Sequence, residues 1–115
     1  MLSLDKAITS RSATCDRPGE RLVVPSLVFY EWLRGPRRAQ ELAAHEALSP
    51  SEFVLPFEWQ ESALSARLYR NLRRPRGREI DIAIATCAIS RAADLWILNA
   101  ADFKDIPGLR LATLP

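Results

Sequence analysis

The stretch DIAIATCAISRAADLWILNAADF, residues 81–103, decides the fold. Its first half continues an apolar run that opens at Glu79, and 79–92 reads as an apolar helix. LWIL, residues 95–98, is short, apolar and flanked by polar residues, and reads as a fully buried strand. Two carboxylates bracket this apolar segment, Asp81 at its start and Asp102 near its end. A carboxylate at the edge of an apolar run costs desolvation unless something compensates it. A metal ion would do so.

Working outward, RLVVPS predicts a strand over Leu22–Val24, ended by Pro25, with Ser26 as a helix N-cap. LVFYEWLRG predicts a short apolar helix that stops at Gly35. Pro36 opens a second helix, which RRAQELAAHEALS carries to about Ser49. PSEFVLPF predicts a strand over Phe53–Leu55 between prolines. Residues 57–73 place Ala63, Leu64, Leu68 and Leu72 at helical spacing. RRPRGR, residues 73–78, breaks that helix as an exposed loop. NAADFKDIPG is a loop, and LRLATL predicts a last strand. Residues 1–21 show no long helix. Strands that alternate with helices, and run continuously apolar, predict an α/β fold with a mostly parallel central sheet covered on both faces.

The chain has 115 residues, which suits a single domain over 1–115 with an atypical segment at 1–21. Hydrophobic residues make up 48% and charged residues 26%, the balance of an ordinary globular protein. No apolar run reaches the roughly 18 residues that a membrane span needs. MLSLDKAITS lacks the apolar core of a secretory signal, so a cytoplasmic location is expected. Cys15 and Cys87 have no CxxC spacing, which argues against a zinc site and a disulfide framework. Cys87 reads as a small core residue. A net charge of +2 implies no nucleic-acid partner by itself. Lys6 and Lys104 are the only lysines among 16 cationic residues, and arginine suits bidentate phosphate contacts.

Sites in open α/β sheets form beyond the carboxyl ends of the strands. Asp102 lies in the loop leaving strand 95–98, Asp81 in the first turn of its helix, and Glu31 in the helix leaving strand 22–24. Three acids are thus expected at one edge, with Asn99 placed to join them as a neutral ligand or hydrogen-bond partner. Carboxylates gathered in one place repel one another and call for a cation. Mg²⁺ takes oxygen ligands, keeps several waters and favours phosphate substrates. It polarises phosphodiesters and activates water. The acids read this way indicate a metal-dependent phosphodiesterase. Each also has a plainer use: Asp81 as a helix N-terminal charge, Asp102 as a turn cap, Glu31 as an ion-pair partner of Arg34.

At this point the chain resembles the PIN-domain family over roughly residues 22–112. PSLVFYEWLRG resembles its hydroxyl residue followed by a Glu-bearing helix and Gly. EIDIAIATCAI and LWILNAADFKDIPGLRL resemble its Asp-led Ala-rich helix, strand and Asn-x-x-Asp-Phe turn. The nearest subgroup is the VapC-like toxins of toxin–antitoxin pairs. The resemblance implies a three-layer α/β/α sandwich and Mg²⁺- or Mn²⁺-dependent endoribonuclease activity. Four acids hold the metal in that family. Glu31, Asp81 and Asp102 match three by motif position, and Ser26 and Asn99 match supporting polar positions. A VapB-like antitoxin and a homodimer are implied partners. The family's first strand ends in an Asp followed by polar residues, whereas Asp5 here is followed by Lys6-Ala7. The interval from Asp5 to Glu31 is also shorter than the family's. Asp5 is therefore the candidate first ligand on a shortened scaffold, and a truncated or replaced N-terminus would lose it. That loss would leave a degenerate domain that binds protein or RNA without cutting.

RLYRNLRRPRGR holds Arg67, Arg70, Arg73, Arg74, Arg76 and Arg78. Arg73, Arg74, Arg76 and Arg78 are candidate RNA-phosphate contacts, with Tyr69 available to stack on a base. A solvated helix face and loop explains the same residues. His45, the sole histidine, reads as a surface residue. Trp32, Trp59 and Trp96 read as core or dimer-interface packing. A third reading, a signalling domain whose acids hold Mg²⁺ for phosphoryl acceptance, needs a suitably placed lysine, and Lys104 fits that role poorly.

Overall fold

Helix α4 (Glu79–Ser90) is apolar all round, and every residue from Ile82 to Ala88 is buried. Such a helix must be enclosed by other elements. In the computed structural model, which describes residues 6–10, 21–48, 50 and 54–112, the enclosing elements are α1 (Ser26–Leu33), α3 (Trp59–Asn71) and strand β3 (Asp94–Ile97). The other described elements are β1 (Lys6–Ser10), β2 (Arg21–Val23), α2 (Ala39–Leu48) and β4 (Arg110–Leu111), with a 3₁₀ turn at Ala100–Phe103. The fold is a mixed α/β domain. None of the described helices is long and apolar enough to cross a membrane.

The core joins Val24, Val28, Leu68, Ile82, Ile84, Ala85, Ala88, Leu95, Ile97, Phe103 and Ile106 in one cluster. One hydroxyl is buried within it. Thr86 donates to the Ile82 carbonyl at 2.8 Å and accepts from Ser65 Oγ at 2.9 Å, so the polar group is satisfied and ties α3 to α4. Cys87 is a core residue, and burial pushes its thiol up to about 11, which keeps it unreactive.

The sheet departs from the mostly parallel arrangement expected of the sequence. Its strand order is β2-β1-β3-β4, and β1 runs antiparallel to both β2 and β3. Among the described strands, only β3 and β4 pair in parallel. KAITS carries no apolar run, so β1 leaves no strand signal, and pairing direction is not written in hydrophobic pattern. Asp5, the candidate first ligand, lies outside the described residues. Of the strand expected at 53–55, Phe53 lies outside the described residues, and Leu55 forms a parallel bridge with Pro25, whose hydrogen bonds run from Leu55 N–H to Val24 O and from Ser26 N–H to Leu55 O. Proline at 25 and 56 supplies no N–H donor to extend that ladder. Strand β3 is not buried throughout: Leu95 and Ile97 enter the core, Trp96 is half-buried, and Leu98 just beyond is 69% exposed. Successive strand residues face opposite ways, so an apolar run does not imply that both faces are closed.

His45 is the clearest correction. It is buried to 1% exposure, not on the surface. Its ring lies 4.7 Å from Phe29 and 4.5 Å from Trp32, between centroids. Arg37 sits over Trp32 at 4.4 Å and donates from Nε to the Trp32 carbonyl at 2.8 Å. His45 is also the only buried residue among those of α2 whose exposure is described. Neither ring nitrogen has a hydrogen-bond partner among the described residues. Burial lowers its pKa from 6.5, against a smaller opposite pull from Glu46. A histidine held neutral in the fold but free to charge in the unfolded chain stabilises above its ordinary pKa, and that stability is lost as pH falls below it.

Two outcomes follow from this packing. The urea midpoint is expected to fall as pH is lowered from about 7 to about 5, and His45→Phe is expected to flatten that dependence. Leu95→Ala, at the fully buried centre of β3, is expected to cost about 2–5 kcal/mol in urea unfolding.

Candidate functional site

The turn after β3 is built on two buried anchors. Phe103 and Ile106 are 1% and 3% exposed and pin the segment to the core. Between Ile97 and Phe103 the chain makes its 3₁₀ turn, leaving Asn99 and Asp102 exposed. Asn99 Nδ2 donates to Asp102 Oδ2 at 2.8 Å, and the Asp102 N–H donates to the Asn99 carbonyl at 3.1 Å. The pair therefore fixes its own geometry, and Asn99 holds one carboxylate oxygen in place.

Asp81 stands half-buried in the first turn of α4, where the helix dipole favours a negative charge. Gly77, at φ +79°, turns the chain from α3 into α4 and sets up Arg78, the residue before the helix. Arg78 then reaches across to the turn after β3. Nη1 and Nη2 donate to Asp105 Oδ2 and Oδ1 at 2.8 and 2.6 Å, a bidentate pair. Nη2 also donates to the Asp102 carbonyl at 2.8 Å, and Nη1 to the Arg74 carbonyl at 3.2 Å. The Asp105 hydrogen bonds raise the pKa of Arg78, with smaller contributions from the charges of Asp105, Asp81 and Asp102. In turn, Arg78 holds the Asp105 carboxyl below its usual range.

Arg78 thus links the start of α4, where Asp81 stands, to the turn that carries Asp102, and the charges of both acids act on it. Glu31 is half-buried on α1 and lies 3.8 Å from Arg34, the plainer use the sequence allowed it. Ser26 is the first residue of α1 and makes no side-chain cap. It lines a shallow cavity of about 410 Å³ with Phe29, Tyr30, Leu33 and Arg34, apart from the acids. Among the described residues no three acids, histidines or cysteines gather closely enough to hold a metal. Lys6, where β1 opens, pairs with Ile97 at the end of β3 from which Asn99 and Asp102 emerge.

Of the candidate RNA contacts, Arg73, Arg74 and Arg76 are exposed on the loop before α4, whereas Arg78 is engaged internally. Tyr69 packs partly against the core, which limits its use for stacking. Sequence reasoning did not single out Asp105. Its partner lies 27 residues away, and only a folded chain shows that pairing. No protein-family model and no characterised protein sequence matches the chain.

Because the Arg78 hydrogen bonds are what depress Asp105, its carboxyl is expected to titrate below about 3.9 by NMR and to move back up in Arg78→Gln. The sign follows from linkage. A depressed acid stabilises above its ordinary pKa, and that stability is lost as pH falls through the lowered value. Asp105 is half exposed, so the effect on global stability is expected to be small.

Proposed function

We propose that the chain is a PIN-like endoribonuclease of the VapC-like kind that uses Mg²⁺ or Mn²⁺. The observation that supports this reading is that Arg78, just before the helix turn that carries Asp81, is bonded to the turn that carries Asp102, with Asn99 bonded to the second acid. The donor chemistry suits the metal. Mg²⁺ is commonly held by one or two carboxylates, with waters and substrate phosphates completing its shell. Asp81 and Asp102 would hold it, with Glu31 and Asp5 as the further acids that the resemblance implies. When bound, the metal supplies a Lewis acid that polarises a phosphodiester and activates water.

The chain's own residues do the rest. The α4 dipole favours the ionised form of Asp81. Asn99 fixes the rotamer of Asp102. Arg73, Arg74 and Arg76 attract the RNA backbone to the loop beside Asp81. The same reading carries a three-layer α/β/α sandwich, a VapB-like antitoxin as inhibitor, a homodimer and a cytoplasmic setting. A second reading has its own support. Arg78 already places a cation beside these acids, and no three metal-binding side chains gather among the described residues. On that reading the domain binds protein or RNA and no longer cuts.

RNA cleavage by the purified chain, freed of any antitoxin, separates the two. The nuclease reading expects cleavage with Mn²⁺ or Mg²⁺ that falls to the EDTA level in Asp81→Asn and in Asp102→Asn. A folded protein whose cleavage equals that of Asp81→Asn supports the binding reading instead.

A further inference from the structure

We infer that Arg78 is a positioning residue, which with Asp105 clamps the turn carrying Asp102 against the first turn of α4, where Asp81 stands. The inference rests on the proposal that Asp81 and Asp102 work together. Its own evidence is the distribution of bonds. One guanidinium joins two segments: the loop before α4 through the Arg74 carbonyl, and the turn after β3 through both the Asp102 carbonyl and the Asp105 carboxylate three residues further on. It does so from the residue just before α4.

Phe103 and Ile106 bury the far side of the turn but leave its acidic side exposed. Within the turn, Asn99 ties Asp102 only to its own segment. Arg78 is the side chain that carries Asp102 across to α4. An arginine is required because the arrangement uses a planar fork: two parallel bonds to a carboxylate, with the outer donors turned to carbonyls. A lysine ammonium cannot span these acceptors in that geometry. Arg78 thus supports the site through the Asp102 backbone and makes no bond to the carboxylate that would meet the metal.

Mn²⁺ binding, followed by electron paramagnetic resonance with Mn²⁺ as the only probe, tests the clamp, with Asp81→Asn as the control for the site itself. Arg78→Gln and Asp105→Asn are each expected to weaken Mn²⁺ binding about tenfold, the scale for residues that orient metal ligands. The double variant is expected to lose no more than either single one, because the pair acts as a unit. Simple charge predicts the opposite for Arg78→Gln, since removing a cation beside the site should tighten metal binding. Unchanged or tighter binding in Arg78→Gln, or additive losses in the double variant, would overturn the clamp.

If the native chain binds no Mn²⁺ that Asp81→Asn removes, the metal reading fails separately. The clamp is then judged by amide hydrogen exchange. It expects about tenfold faster exchange at the Asp102 N–H in Arg78→Gln, and unchanged exchange there would sink it.

Discussion

The burial of α4 on all sides is the constraint that the rest of the structure obeys. An apolar helix with no polar stripe has no stable place at a surface. Helices α1 and α3 and strand β3 close around it, and the one hydroxyl inside, Thr86, is satisfied locally and by Ser65. The helix therefore emerges only at its ends. Its N-terminal end carries Arg78, Glu79 and Asp81, charged residues placed where the apolar helix meets solvent.

That placement answers the question raised by two carboxylates flanking an apolar run. Within the fold, the Arg78 guanidinium supplies a positive charge on which both carboxylates act. Arg78 lies near Asp81 and Asp102 and is bonded to Asp105. An internal cation of this kind permits the acids to sit together at a half-exposed edge. It also leaves the Asp102 carboxylate turned to Asn99.

The parts legible in the sequence were those governed by local periodicity. The helical stretches at 26–33, 59–71 and 79–90 and the strand at 94–97 all follow from apolar spacing and punctuation by proline and glycine. The missing parts depend on partners distant in the chain. Strand β1 has no apolar pattern and is a strand because β3 and β2 flank it. His45 lies on a helix with no other buried residue among those whose exposure is described, and is buried because Phe29 and Trp32 face it. Among the site residues, Asn99 and Asp102 were readable as one turn. The role of Arg78 was not, because a basic loop reads as a phosphate contact until its acidic partner is placed opposite.

The central claim is that Asp81 and Asp102 face one shared position at the edge beyond β3. The most direct test is an anomalous difference map from a crystal grown with Mn²⁺. The account predicts a single peak within coordination distance of both carboxylates, with Arg78 still bonded to Asp105. An ordered turn with no peak at that position, and the two carboxylates directed to separate solvent regions, would contradict it.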